Sequence, residues 1–225
     1  MKSSNKHFKV IIFGIGRLSE LVTTFLEKET GHTIAGYCVE KNFKTDTSEF
    51  KGVPIVSFEK LLETFNPYEF KLFIAVGNNY VRERIYNQSK EMGYSMISHI
   101  TESVTHYSDL EFGENVLISG ITSLQPFVKV GSNTIIFGSK IGHHSNIGSH
   151  VMLSCTTIGG GVKIGDYSFL GLNSAIQHDT VIGEKNIIGM GCNISHNTKE
   201  NQVYSTNDST IKRVVSAEQM SKKYL

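Results

Sequence analysis

The chain has 225 residues, one and a half times the rough 150-residue domain prior, so one large domain or two small ones are both open. Apolar residues make up 39% and charged residues 19%, enough to build a core and too little charge for a disordered chain. The net charge of +1 offers no whole-molecule field to recruit nucleic acid or anionic lipid, and no run of 18 apolar residues predicts a membrane span.

The opening MKSSNKHFKVIIFGIG has a short apolar run and no small-residue cleavage site, so it is not read as a signal peptide. Cys38, Cys155 and Cys192 are odd in number and far apart, which suits a reducing, cytoplasmic compartment and argues against a disulfide framework or a Cys metal cluster. KVIIFG (Lys9 to Gly14) is a buried-strand signal ending in glycine, and Arg17 to Lys28 follows with Leu18, Leu21, Val22 and Phe25 at helical spacing. Thr33 to Glu40 reads as a second strand, and Ser57 as the N-cap of a helix over Phe58 to Phe65. Lys71 to Gly77 is a third strand and Tyr80 to Met92 a third helix. This alternation predicts a small parallel sheet with helices on its faces, Rossmann-like in build.

Such sheets bind ligands where the strands' carboxyl ends open, here Gly14 to Arg17, Val39 to Lys41, and Gly77 to Asn79. Gly14-x-Gly16 lacks the third glycine of a dinucleotide fingerprint, since Ser19 stands there, so plain strand-to-helix turns remain an alternative. Arg17 at a helix start is disfavoured by the helix dipole, a penalty that a bound anion removes.

Beyond the first hundred residues the period changes to six. Met152, Ile158, Ile164, Leu170, Ile176, Ile182, Ile188 and Ile194 form one unbroken series, and Phe112, Ile118, Leu124, Val130 and Ile136 an earlier one. Thr156, Val162, Ser168, Ser174, Thr180, Asn186 and Cys192 precede the later members by two places, and glycine follows many of them directly. Of 21 glycines, 14 fall between Gly113 and Gly191. Six matches neither a helix nor two-residue alternation; it predicts a parallel β-helix of three hexapeptides per coil, roughly 4.6 coils from Phe112 to Ile194. The register steps by five at Ile136 to Ile141 and again at Ile147 to Met152. Between these slips GHHSNIGSH (Gly142 to His150) holds three of the nine histidines, and this is where chemistry is expected.

The hexapeptide half resembles left-handed β-helix acyltransferases. Together with the α/β half, the chain resembles sugar O- and N-acyltransferases such as bacterial sialic acid O-acetyltransferases and UDP-4-amino-sugar N-acetyltransferases. The resemblance runs from about Lys9 to about Tyr204, carried chiefly by AVGNNYVRERIY (Ala75 to Tyr86), IGHHSNIGSH and GGVKIGDYSFLGLNSAI (Gly160 to Ile176). It implies residues 1–98 as a nucleotide-sugar-binding domain, 99–204 as the acyltransferase β-helix and 205–225 as a tail, with SAEQMSKKY (Ser216 to Tyr224) read as a short helix. It further implies a homotrimer, acetyl-CoA as co-substrate, a nucleotide-linked amino sugar as acceptor, and no metal.

The family's catalytic histidine falls on His143, and the carboxylate that usually follows it is replaced by His144, so either His144 is itself the base or a carboxylate from elsewhere or from another subunit orients His143. His150, Gly160, Leu172 and Met190 fall on acetyl-CoA-contacting positions, and Gly16, Arg17, Val39, Glu40, Gly77 and Asn78 on nucleotide-sugar contacts. The usual paired acids after the second strand are reduced to Glu40, a first-loop His-Gly is missing, and VYSTNDSTIKR replaces the usual Gly-x-Pro-Ala ending. The resulting expectation is an acetyl-CoA-dependent N-acetyltransferase of bacterial surface-glycan biosynthesis. An O-acetyltransferase of sialic acid and a non-catalytic β-helix scaffold are the alternatives, and a histidine metal site lacks nearby acidic or Cys ligands. His99, His106 and His178 are expected to be structural.

Overall fold

The computed structural model describes residues 7–43 and 47–206, so the proposed tail helix lies outside the described residues. The first half is a five-stranded sheet of β1 (Lys9–Phe13), β2 (Thr33–Val39), β3 (Glu49–Phe50), β4 (Val53–Ser57) and β5 (Phe70–Ile74), in the order β3-β4-β2-β1-β5. All pairings are parallel except the β3–β4 hairpin. The three expected strands are present; the β3–β4 pair was not expected, because Pro54 and exposed polar residues hide a two-sided apolar pattern.

Helix α1 (Arg17–Phe25) is shorter than its apolar pattern and runs into a wider turn at Leu26–Thr30, closed by left-handed Gly31. The expected helix from Phe58 is broken into a tight turn, Phe58–Lys60, and α2 (Leu61–Thr64). Ser57 does not cap it by hydrogen bonding: its hydroxyl is turned to donate to the Glu59 carboxylate and accepts from none of the first amides. Helix α3 (Asn79–Glu91) is capped by Asn78, whose side-chain oxygen accepts from the amides of Tyr80 and Val81 at 3.1 Å each.

From His99 onward the chain winds into a three-faced parallel β-helix. Among the described residues the first face has seven strands (His99–Ile100 to Val203–Tyr204) and the second five (Ser123–Leu124 to Asn193–Ile194). The third also has five, from Glu111–Phe112 to Val181–Ile182. Inside lies one column of aliphatics: Ile118, Leu124, Val130, Ile136, Ile141, Ile147, Leu153, Ile158 and the members at sixes through Ile194. The small residues two places ahead of these, Thr156 to Cys192, are buried as well.

Two members of the series are corrected. Phe112 is exposed, because it opens the third face and no earlier coil covers it. Met152 is not the inward residue of its coil; Leu153 is, and Met152 turns out against the α/β domain beside Leu117 and Ile135. On the first face alternate residues therefore serve two cores, one inside the prism and one between the halves. The second five-residue step accordingly falls at Leu153 to Ile158. It stacks beneath the step at Ile136 to Ile141 on the edge between the first and second faces, where Gly138 and Cys155 take left-handed φ of 53° and 49°. The slips are thus one shortened edge in successive coils, away from the histidines.

Candidate functional site

Successive coils put like positions in columns along the three edges of the prism. On the edge between the second and third faces lie Pro126–Phe127, His143–His144, Gly160–Gly161 and His178–Asp179, tied by backbone hydrogen bonds from His144 to Pro126, Gly161 to His143 and Asp179 to Gly160. His144 is held in the left-handed region, φ 58°, which throws its ring against Phe127 at 4.5 Å. The His143 amide is fixed by the side chain of Gln125 at 3.0 Å.

The two rings are perpendicular, with their Nδ1 atoms 3.0 Å apart. One must donate and the other accept; with His143 as donor its Nε2 lone pair is left free. That nitrogen lies over Gly160, where a Cβ would come within 2.8 Å of Nε2 and 2.7 Å of Cε1. Glycine at this position is what gives the ring its room. A groove of about 330 Å³ runs alongside, lined by Gln125, Lys140, His143, Thr157 and Gly160 among others. Beyond the glycines, His178 Nδ1 sits 3.0 Å from Asp179, so this histidine has a carboxylate partner that its sequence context did not suggest.

His150 occupies the next edge, between the third and first faces, in a column with Asn133, Tyr167 and Lys185. The structure therefore does not bring His150 to His143 within one chain. Its ring stacks on Tyr167 at 4.9 Å, meets Tyr86 edge-on, and its Nδ1 pairs with the Asn133 amide at 2.8 Å. Burial holds its pKa below the ordinary histidine value.

This edge is where the two halves join. Arg82 of α3, fully buried, donates to the carbonyls of Val76, Gly77, Asn133, His150 and Val151 and to the Asn79 side chain, at 2.9–3.2 Å. Desolvation draws its pKa down to about 10, still well above neutrality. Asn79 in turn donates to the carbonyls of Tyr167 and Ser168.

Leu172 and Met190 are neighbours on the third edge, both exposed, with the Gly191 amide on the Leu172 carbonyl. The four expected acetyl-CoA contacts thus spread over all three edges, and only Gly160 lies beside His143.

In the α/β half the expected contacts gather more closely. Gly14, whose φ of 111° admits no ordinary side chain, turns the chain out of β1. Gly16 precedes α1 without a side-chain cap, and Arg17 begins it, both exposed. Val39 and Glu40 line an apolar slot of about 250 Å³ at the carboxyl ends of the strands, with Phe13, Gly14, Ile15, Phe43, Val76 and Val81. Glu40 is held by a bidentate pair with Arg84 of α3 at 2.7 and 2.9 Å, which keeps its carboxyl below the usual range. Gly77 and Asn78 open a second cavity of about 200 Å³ with Asn79, Tyr80, Tyr167, Phe169, Lys185 and Ile187. Sequence reading missed Arg82, Arg84, Tyr167 and Lys185 as site-forming residues. The first two lay inside the AVGNNYVRERIY segment, but nothing local says which arginine is buried.

Residues 9–89 match the model of the PglD N-terminal domain family. The chain has the fold of the hexapeptide left-handed β-helix family. It superposes on the acetyltransferase domain of PglB from Neisseria gonorrhoeae with a TM-score of 0.77 at 19% identity, covering 87% of this chain and 95% of that one. PerB from Caulobacter crescentus, solved with CoA and GDP-perosamine, gives a TM-score of 0.78 at 23% identity over 87% of this chain and 92% of its own. Among curated proteins, the bifunctional protein GlmU of Zymomonas mobilis is 28% identical over 126 residues, 45% of this chain, and the match spans only 28% of that relative's length. No helix among the described residues is long and apolar enough to cross a membrane, and no group of three or more His, Cys, Asp or Glu among them is placed to hold a metal ion.

Proposed function

We propose that the chain is an acetyl-CoA-dependent N-acetyltransferase acting on a nucleotide-linked amino sugar in bacterial surface-glycan assembly. The observation that carries this reading is the placement of His143 Nε2 over Gly160, beside an open groove and with Nδ1 paired to His144. The reading draws further support from the fold shared with PerB, whose structure holds CoA and GDP-perosamine.

Acetyl-CoA brings an already activated acyl group, so no Ser or Cys acyl-enzyme is needed. His143 Nε2 accepts a proton from the sugar amine as the nitrogen–carbon bond to the acyl group forms. The same proton then serves the departing CoA thiolate as the carbon–sulfur bond breaks, which leaves amide and thiol as products. General-base assistance of this kind contributes about 10²–10⁴-fold. His144 accepts a hydrogen bond from His143 Nδ1–H and keeps the ring oriented, in the place where the resemblance expects a carboxylate. A neutral imidazole supports an imidazolium less than a carboxylate does, and an amine demands less of its base than a hydroxyl. That difference favours nitrogen as acceptor.

The nucleotide lies at the carboxyl ends of β1, β2 and β5, touching Gly16, Arg17, Val39, Glu40, Gly77 and Asn78. The acetyl-CoA arm passes Gly160, and in a homotrimer a neighbouring subunit's edge brings His150, Leu172 and Met190 toward it. The division at residues 98/99 and 204/205, the trimer and a cytoplasmic location, where acetyl-CoA is made, belong to the same proposal.

The test is thiol release from acetyl-CoA by the purified protein across UDP-, dTDP- and GDP-linked amino sugars and free sialic acid. Release with an amino sugar supports the reading. Release with sialic acid alone moves the acceptor to a hydroxyl, and silence across the panel, with no CoA binding by calorimetry, favours a scaffold.

A further inference from the structure

Two cavities of the α/β half are joined by consecutive residues. Val76 lines the apolar slot at the strand ends, and the next two residues, Gly77 and Asn78, line the cavity at the domain joint. A ligand laid across the carboxyl ends of the sheet and continuing along this turn passes from one into the other.

The second cavity differs in chemistry from the first. It is built from both halves: Gly77 to Tyr80 from the start of α3, and Tyr167, Phe169, Lys185 and Ile187 from two adjacent coils of the β-helix. Tyr80 and Tyr167 lie parallel, 6° apart with centroids at 6.0 Å, and Lys185 Nζ stands 5.8 Å from the centre of the Tyr167 ring. The Tyr167 ring is fixed by His150 stacked on it and by its hydroxyl donating to Glu83 at 3.1 Å. Lys185 has no ion-pair partner among the described residues. Its donors are therefore available to a ligand.

Flat aromatic faces and exposed aliphatics suit the C–H faces of a pyranose, and an unpaired ammonium suits its ring oxygens and hydroxyls. At about 200 Å³ the cavity is below the range of drug-sized ligand sites and matches a single ring. We infer that this cavity is the subsite for the sugar of the acceptor, with Tyr80 and Tyr167 as its wall and Lys185 as a hydrogen-bond donor that sets the sugar's position. The inference rests on the proposed acceptor class and adds residues that the resemblance did not assign. It also gives the domain joint a purpose, since neither half alone forms the cavity.

Steady-state thiol-release kinetics on Lys185→Met, Tyr80→Ala and Ile187→Ser test this, each with the amino-sugar nucleotide and acetyl-CoA varied in turn. All three sites are exposed, so folding is checked by circular dichroism and is expected to be unchanged. The acceptor KM should rise about tenfold or more for Lys185→Met and several-fold for Tyr80→Ala and Ile187→Ser, with the acetyl-CoA KM within about twofold of the parent. A rise confined to the acetyl-CoA KM, or parent-like values for all three variants, overturns the subsite while leaving the acetyltransferase reading intact. A wild-type protein that turns over no amino-sugar nucleotide overturns both.

Discussion

Two edges of one prism carry histidines at the same kind of corner, and their surroundings are opposite in kind. His144 and His150 have nearly identical left-handed φ, 58° and 60°, and each sits at a turn between faces. On the first edge His143 and His144 are exposed among the described residues, and a glycine in the next coil opens space beside them. On the second, α3 packs over the corner, Arg82 takes its carbonyls, and Tyr86 and Tyr167 enclose the ring. The lesson is that the role of a corner residue in a solenoid is set by what is laid on that edge.

The joint edge should be the more fragile to mutation. Arg82→Ala removes the donors of six hydrogen bonds, three of them fully buried, and leaves a void where a fully buried side chain stood, so it should cost about 3–5 kcal/mol of stability, seen as a large loss of thermal or denaturant midpoint. Equal stability of variant and parent would mean that the halves are held by their apolar contacts alone. On the open edge, Gly160→Ala should leave the midpoint nearly unchanged. Its new methyl displaces the His143 ring, and kcat should fall about 10²-fold.

Acid should separate the edges again. Burial holds the pKa of both His150 and His99 below 6.5, so the unfolded chain binds protons that the folded one resists. The stability these groups contribute is full above the unfolded pKa and is lost as pH falls from about 6.5 toward their folded values. His150→Asn should flatten part of that loss in a melting series across pH, because a protonated Nδ1 can no longer accept from Asn133. Smallest is Glu40→Gln: the pair with Arg84 is partly exposed and should cost under about 1 kcal/mol of stability, while the acceptor KM rises if Glu40 meets the nucleotide.

Much of the fold was legible because its signals are periodic. Ile158 to Ile194 at sixes could face only one way in a solenoid, and the glycine-ended strand at Lys9 announced a buried parallel sheet. Met152 misled because the first face is apolar on both sides, and a period alone cannot tell the inner column from the face that meets α1. The pair His143–His144 was visible as a cluster of histidines, yet the 3.0 Å contact between their rings depends on the turn's backbone geometry and the space over Gly160 on coil stacking across 17 residues. Tyr167 and Lys185 carried no signal of their own. They matter because the start of α3, far earlier in the chain, lines the same cavity.

The central claim is that His143 does the chemistry and His150 does not. The most direct measurement is kcat for thiol release by His143→Ala and His150→Asn, at saturating acetyl-CoA and amino-sugar nucleotide. The account predicts a fall of about 10²–10⁴-fold for the first, with an unchanged melting midpoint, and a kcat within about tenfold of the parent for the second. A His143→Ala protein that turns over at the parent rate would contradict it.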